Sequence, residues 1–394
     1  MASAKGLLDL SWYYNAKGWL KKRRKAILWA AAATGAGVCV YCLASWYTVR
    51  VRQQAQEASR FAILDKDAED RVELQLQCHF ESIQQISDST TLPSVLPQVK
   101  DRLFRLVELS DLTDRLLAGK DNPQGMSHQD KVQLWQRIKI LSFTRAISAM
   151  TAVALLELFI RVQMNILGRH MYIHTARVLS TAGGRGLEGD LSLSCQHRFL
   201  EFAEFLPHYG LHLLIEDIKV SVEKIMKSIS LKQPYDSYEL KDLLAQILAD
   251  FISQQVEWTK YVLPTYDILP DGMAVALTEA DDAYSLNDRS TTTDDQADFG
   301  TLMAETRAVL SSMEFDTVLE AVLDVILNEA MSEYRAACAG SSTGGRVPLA
   351  RLLPSVANLA SSFLEHIDDN RFIIAVSTHP KVQSFCAMVY ASTA

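Results

Sequence analysis

A run of 24 uncharged residues, 26–49, follows directly on Lys21-Lys22-Arg23-Arg24-Lys25 and stops at Arg50 and Arg52. As a helix rising 1.5 Å per residue it would be about 36 Å long, enough to cross a hydrocarbon core of about 30 Å with some tilt. Trp29 lies near one end and Trp46 and Tyr47 at the other, where amphipathic rings favour the headgroup level. The chain therefore divides into a short basic N-terminus (1–25), a membrane anchor (26–49) and a body (50–394).

A cleaved secretory signal is the competing reading of the run. Signal h-regions are shorter, usually about 7–15 residues. None of the seven Asn begins an Asn-x-Ser/Thr sequon. Cys39 and Cys42 fall inside the run, and Cys78, Cys195, Cys338 and Cys386 are scattered without framework spacing. That usage suits reduced thiols on the cytosolic side. A retained anchor with a cytosolic body is the expectation. It conflicts with a simple positive-inside count, because the larger basic cluster precedes the span.

Residues 1–49 hold seven Lys/Arg and one acid, which leaves 32 basic and 46 acidic residues in the body, a net of −14. Phosphate contacts need clustered bases, so a nucleic-acid partner is excluded. The same charge argues against a body lying flat on an anionic leaflet.

The body reads as helices throughout. Residues 50–86 contain no Gly or Pro; two prolines within 91–97 break the pattern; 99–118 resumes with Val99, Leu103, Leu106, Leu109 and Leu112. After a loop at 119–126, Ser127 has the character of an N-cap with Asp130 three residues on. Residues 131–180 have no proline and one glycine, Gly168, and predict one very long helix or two nearly continuous ones. Within it, 146–160 is strongly apolar but short, carries Glu157 and sits between Arg145 and Arg161, which predicts a buried central helix rather than a second span. Further helices are expected over 192–230, 236–262, 301–337, 348–366 and 370–392. The glycine-rich 181–190 and 339–346 read as loops, and the acidic, Thr-rich 264–299 as a long insertion. No sustained period-two runs appear, so the fold class is all-α: a twisted bundle of long helices on a single N-terminal transmembrane helix.

Residue patterns that carry chemistry are sparse. Gly183-Gly184-Arg185-Gly186 lacks the Gly-Lys-Ser/Thr ending of a phosphate cradle. His170 and His174 stand one turn apart without a third ligand, and Cys39-Val40-Tyr41-Cys42 lies within the expected span. No catalytic residue, metal site or cofactor is expected, and the chain does not read as an enzyme. The feature that stands out is Trp135. On the helix opening at 128, Leu134, Ile138 and Leu141 form a core stripe; Trp135 is offset from it by about 100°, toward Lys131, Val132 and Lys139. Either Trp135 packs under the preceding loop or it anchors a partner helix, ringed by basic side chains.

Several segments in order then resemble one family. They include His79-Phe80-Glu81-Ser82, Leu134-Trp135 with Lys139-Ile140-Leu141-Ser142-Phe143-Thr144-Arg145, and Arg161-Val162-Gln163-Met164-Asn165-Ile166-Leu167-Gly168. Glu305-Thr306-Arg307, Pro348-Leu349-Ala350-Arg351 and Phe385 with Val389-Tyr390 follow. The chain resembles the peroxisomal biogenesis factor 3 (peroxin-3) family from end to end. The resemblance implies a docking factor in the peroxisomal membrane, single-pass, with the basic N-terminus on the matrix side. It makes Lys21, Lys22, Arg23, Arg24 and Lys25, with the anchor, a membrane address, which removes the charge conflict. The implied partner is peroxin-19, the cytosolic receptor for peroxisomal membrane proteins, whose N-terminal amphipathic helix would lie in a groove at the membrane-distal end. Carried over by motif, Trp135 is the aromatic anchor of that groove. Lys131, Leu134 and Ile138 lie on its helix, Leu117 forms a wall, and Arg351 supplies a cation where the family usually has Lys. The alternative is an organelle tether or adaptor whose inheritance or autophagy partners use another face.

Overall fold

One helix of 53 residues, α4 (His128–Ser180), organises everything around it; at 1.5 Å per residue it is about 80 Å long. The computed structural model describes residues 65–121, 127–180, 191–264, 293–339, 346–365 and 370–392. The targeting cluster at 21–25, the anchor at 26–49 and the glycine loop at 181–190 lie outside them.

Among the described residues three helices precede α4: α1 (Asp65–Ile86), α2 (Leu92–Leu106) and α3 (Ser110–Asp121). After it come α5 (Leu193–Glu201), α6 (Leu211–Met226), α7 (Ser237–Ile252) and the single turn α8 (Thr259–Val262). The chain closes with α9 (Thr293–Leu310), α10 (Met313–Ala339), α11 (Leu349–Phe363), α12 (Arg371–Ser377) and α13 (Pro380–Ala391). Among the described residues the strands are two two-residue pieces, β1 (Pro234–Tyr235) and β2 (Val347–Pro348), paired antiparallel with Tyr235 opposite Val347. The all-α reading holds.

The apolar content of α4 explains its place. Every residue from Ala146 to Arg169 is buried. Its most apolar window has the length and composition of a membrane span, yet 94% of that window is buried inside the protein. Helices α11, α6, α13, α10, α2, α9 and α1 pack along it. Burying that stripe on every side is what lets a helix of this length persist in one piece, since packing rather than propensity carries helix stability.

Several boundaries differ from expectation. The prolines within 91–97 do not open a loop: a π-helical turn at Ser87–Thr91 runs directly into α2. Pro93 sits in the first turn, where no N–H is needed, and Pro97 faces outward while Leu92, Val95, Leu96, Val99 and Leu103 are buried. The helix expected over 99–118 breaks at Val107–Leu109, where Val107 and Leu109 both turn inward. The stretch 192–230 is interrupted by a 3₁₀ turn (Phe202–Glu204) and a second π turn (Leu206–Gly210). Part of the expected insertion, from Thr293, is already helix; residues 265–292 lie outside the described ones.

Candidate functional site

The candidate site is built on the first turns of α4. Ser127 starts the helix: its Oγ accepts from the Gln129 amide at 3.3 Å and its carbonyl from the Lys131 amide at 3.1 Å. From there the spacing of apolar residues sets which side faces in. Leu134 and Ile138 are 8% and 5% exposed and belong to the core. They form a floor under the helix rather than a surface open to a partner. Trp135, turned about 100° from Leu134, is half-buried, and Val132, one turn earlier, is 45% exposed. Lys131 is half-buried beside them.

Helix α3 packs against α4 and carries Leu117, an apolar side chain 59% exposed. Arg351 is exposed in the first turn of α11, the helix that makes the most extensive contact with α4. That first turn is tied to the segment after α6: the amides of Leu349 and Ala350 donate to the carbonyls of Gln233 (2.9 Å) and Leu231 (3.0 Å). The expected site residues therefore fall on α4 itself and on two helices, α3 and α11, that pack against it. Trp135, Lys131, Leu117 and Arg351 reach solvent, whereas Leu134 and Ile138 are turned into the core. Val132 reaches solvent one turn before Trp135; that spacing of three is the sequence signal that could have placed it on the same side.

Lys139 departs from the expected basic ring. Four residues after Trp135, it is only 2% exposed, and its Nζ donates to the carbonyls of Met226 and Ile229, both at 2.8 Å. Burial lowers the pKa of its ammonium. Arg145, the last residue of the same segment, lies with its guanidinium 3.9 Å from the Phe104 ring centre on α2. Cation and ring pack α2 to α4.

Other polar groups along α4 are likewise engaged in packing. Arg161 Nη1 donates to Gln84 Oε1 at 2.9 Å, and Nη2 to Glu157 Oε1 at 3.1 Å and to Asp88 on the π turn. Gln163 Nε2 donates to the Phe199 carbonyl at 2.6 Å, and Asn165 Nδ2 to the Arg161 carbonyl at 2.7 Å. Arg169 donates to the carbonyls of Val389 and Ser392 and pairs with Glu305, which also meets His170 Nε2 at 3.1 Å. The residues of the Arg161–Gly168 block thus join α4 to α1 and α5, and Arg169, which follows it, joins α4 to the C-terminal end of α13. Among the described residues no group of three or more His, Cys, Asp or Glu could hold a metal ion. A groove of about 830 Å³ opens between α6 and α7, lined among others by Ile229, Tyr235, Glu239 and Leu243.

The Peroxin-3 family model matches residues 118–392, which contain every surface residue named above except Leu117, one position outside. Peroxisome biogenesis protein 3-2 of Arabidopsis thaliana is 31% identical over 382 residues, covering 95% of this chain and 98% of that protein. Peroxisomal biogenesis factor 3 of Mus musculus is 27% identical over 389 residues, and that of Homo sapiens 27% over 391 residues; each comparison covers 94% of this chain and 95% of the relative.

Proposed function

Since the chain belongs to the Peroxin-3 family, we propose that it is the membrane docking factor for peroxin-19, the cytosolic receptor of peroxisomal membrane proteins, and that the opening turns of α4 are where the receptor binds. Its general role is peroxisome biogenesis, as the relatives' names state, and its relatives are biogenesis factors rather than enzymes. In this reading residues 26–49 anchor the chain once in the peroxisomal membrane, Lys21–Lys25 and the anchor form the address, and residues 50–394 face the cytosol.

The observation that carries the proposal is the half-buried Trp135 beside exposed Val132 at the start of a helix that is buried without a gap from Ala146 to Arg169. An apolar ledge on a rigid floor, with Lys131 at its margin and Arg351 assigned to its rim, fits an amphipathic helix that presents apolar residues at three-to-four spacing and acids at its margin. An aromatic ring held by its floor loses little freedom on binding, which is why such rings dominate interface energetics. Docking asks nothing more of the chain: the anchor supplies residence at the membrane, and the bundle supplies a preformed surface.

The test is titration of a fluorescent peptide of the receptor's N-terminal helix with the full-length chain in detergent micelles, wild type against Trp135→Ala. Loss of one aromatic anchor costs roughly 2–4 kcal/mol, or about 30- to 1,000-fold in affinity. Circular dichroism checks that the variant keeps its fold, which the half-exposed position predicts. Equal binding by both proteins would remove the docking site from this helix and favour the tether or adaptor reading, in which another face does the work.

A further inference from the structure

Lys139 occupies a position that spacing alone assigns to the rim of the docking surface, and the fold turns it inward. A lysine 2% exposed is uncommon, and its charge is costly to bury unless every proton finds an acceptor. Two acceptors are in place, the carbonyls of Met226 and Ile229. Met226 is the last residue of α6. Carbonyls at a helix C-terminus have no intrahelical donors and carry the negative end of the helix dipole, so an ammonium there both satisfies them and opposes that charge.

The segment that follows continues the connection. Residues 227–233 leave α6 through two turns, Ile229 N to Met226 O at 3.2 Å and Gln233 N to Ser230 O at 3.1 Å. They end by offering the carbonyls of Leu231 and Gln233 to the amides of Ala350 and Leu349. These amides are the first two of α11, and the residue before them, Pro348, contributes no side-chain cap. The strap's carbonyls therefore serve as the cap of α11. One end of a seven-residue strap is held by Lys139 and the other holds the turn that carries Arg351.

We propose that Lys139 is the positioning residue of the docking end: by pinning the 227–233 strap to α4 it sets where α11 begins and so where Arg351 stands relative to Trp135. The inference rests on the docking reading for its effect on binding. Its structural half, that Lys139 holds the first turn of α11 through the strap, stands apart from it. Lys139 itself touches no partner; it acts through Arg351 and leaves the contribution of Trp135 intact.

The experiment uses the full-length chain in micelles with two readouts. Amide hydrogen exchange over 346–353 follows the α11 cap, and binding of the receptor peptide follows the surface. Lys139→Met keeps the side-chain length and removes the donors. It is expected to speed exchange at Leu349 and Ala350 at least about tenfold while leaving the amides of 150–160 unchanged. Affinity for the peptide should fall about tenfold. Arg351→Ala should then cost little more in the Lys139→Met background, whereas Trp135→Ala should keep its full cost there, since only contacts that share a partner are non-additive. Lys139→Arg, which keeps charge and donors, should restore part of both. Should Lys139→Met not fold, Lys139→Gln, with one short amide donor, is read in the same two ways. Unchanged exchange at Leu349 and Ala350 in a folded variant overturns the proposal, as does a full cost of Arg351→Ala in the variant background. If Trp135→Ala and Arg351→Ala both bind as wild type, the docking reading fails instead, and the exchange result still decides the strap.

Discussion

A methyl group added at position 210 would stand 1.7 Å from the carbonyl oxygen of Tyr261; one added at 168 would stand 2.1 Å from Cδ1 of Ile83. Both distances are impossible as they are, but the neighbours differ. Tyr261 is fully buried, and its hydroxyl donates to Asp217 Oδ2 at 2.7 Å, while the adjacent Lys260 Nζ reaches the same oxygen at 2.8 Å. Its backbone is fixed from both sides and cannot retreat. Ile83 presents only the end of a side chain, which can change rotamer. Gly168 also lies inside a helix, where alanine gains about 1 kcal/mol in propensity. Gly210→Ala is therefore expected to cost about 3 kcal/mol or more, and Gly168→Ala no more than about 1. Urea denaturation of the two variants, followed by far-ultraviolet circular dichroism, ranks them. A reversed order would mean that α1 is held against α4 more rigidly than α8 is held against the start of α6. Neither approach was readable from sequence. A glycine marks a place without a side chain, but the atom that excludes it, a carbonyl 51 residues away or an isoleucine 85 residues back, is set by tertiary packing alone.

At the scale of elements, Asn370 joins two helices end to end. It is 3% exposed; its Oδ1 accepts from the amides of Phe372 (3.1 Å) and Ile373 (3.3 Å), and its Nδ2 donates to the carbonyls of Phe363 (3.0 Å) and Glu365 (3.3 Å). One amide side chain thus caps the start of α12 and the end of α11. Asn370→Ala strands groups on both helices and is expected to cost about 2–3 kcal/mol. Asn370→Asp, nearly neutral at an ordinary exposed N-cap, should cost a comparable amount here, because it keeps the acceptor but turns a carboxylate toward two carbonyls. Thermal melts of both variants test this; an aspartate variant as stable as wild type would show that the carbonyl contacts contribute nothing. The same distinction governs which elements could be read in advance. The long α4 was legible because proline is absent from 131–180, glycine occurs there once, and 146–160 is strongly apolar. The break at Val107–Leu109 was not: no Gly or Pro marks it, and it exists because two apolar residues turn into the core. The half-buried position of Trp135 was legible through its 100° offset from the leucine stripe. Lys139 was misplaced because its partners are backbone carbonyls 87 and 90 residues away, which leave no mark on residue identity.

Across the whole molecule the main buried charge lies where α1, the first π turn, α4 and α13 converge. Arg161 is shared by Glu157 and Asp88, and both acids respond to burial: the Glu157 carboxyl is pushed up to about 8, opposed by Arg161, and Asp88 is raised as well. Cys386 on α13 completes the group, its thiol pushed up to about 11 by the same burial. With Glu157 protonated near neutrality, Arg161 and Asp88 form a neutral pair; ionising Glu157 leaves one uncompensated negative charge among packed helices. The sign of the consequence follows. The unfolded chain releases this proton near 4.5 and the folded chain holds it to about 8, so the contribution is complete below the lower value. It is lost as pH rises through the window, by roughly 5 kcal/mol in total. Glu157→Gln keeps an oxygen for Arg161 and has no proton to lose. Its stability should match that of the wild type near pH 5 and exceed it increasingly toward pH 8. The difference between the two urea midpoints, taken at pH 5, 6.5 and 8, cancels every other titrating group and isolates this one. Parallel profiles would mean that Glu157 is ionised throughout and that Arg161 neutralises both carboxylates. A rising difference would mean that the packing of α1 and α13 onto the central helix loosens as the surroundings become more alkaline, while the Trp135 surface, which shares no residue with this cluster, keeps its shape.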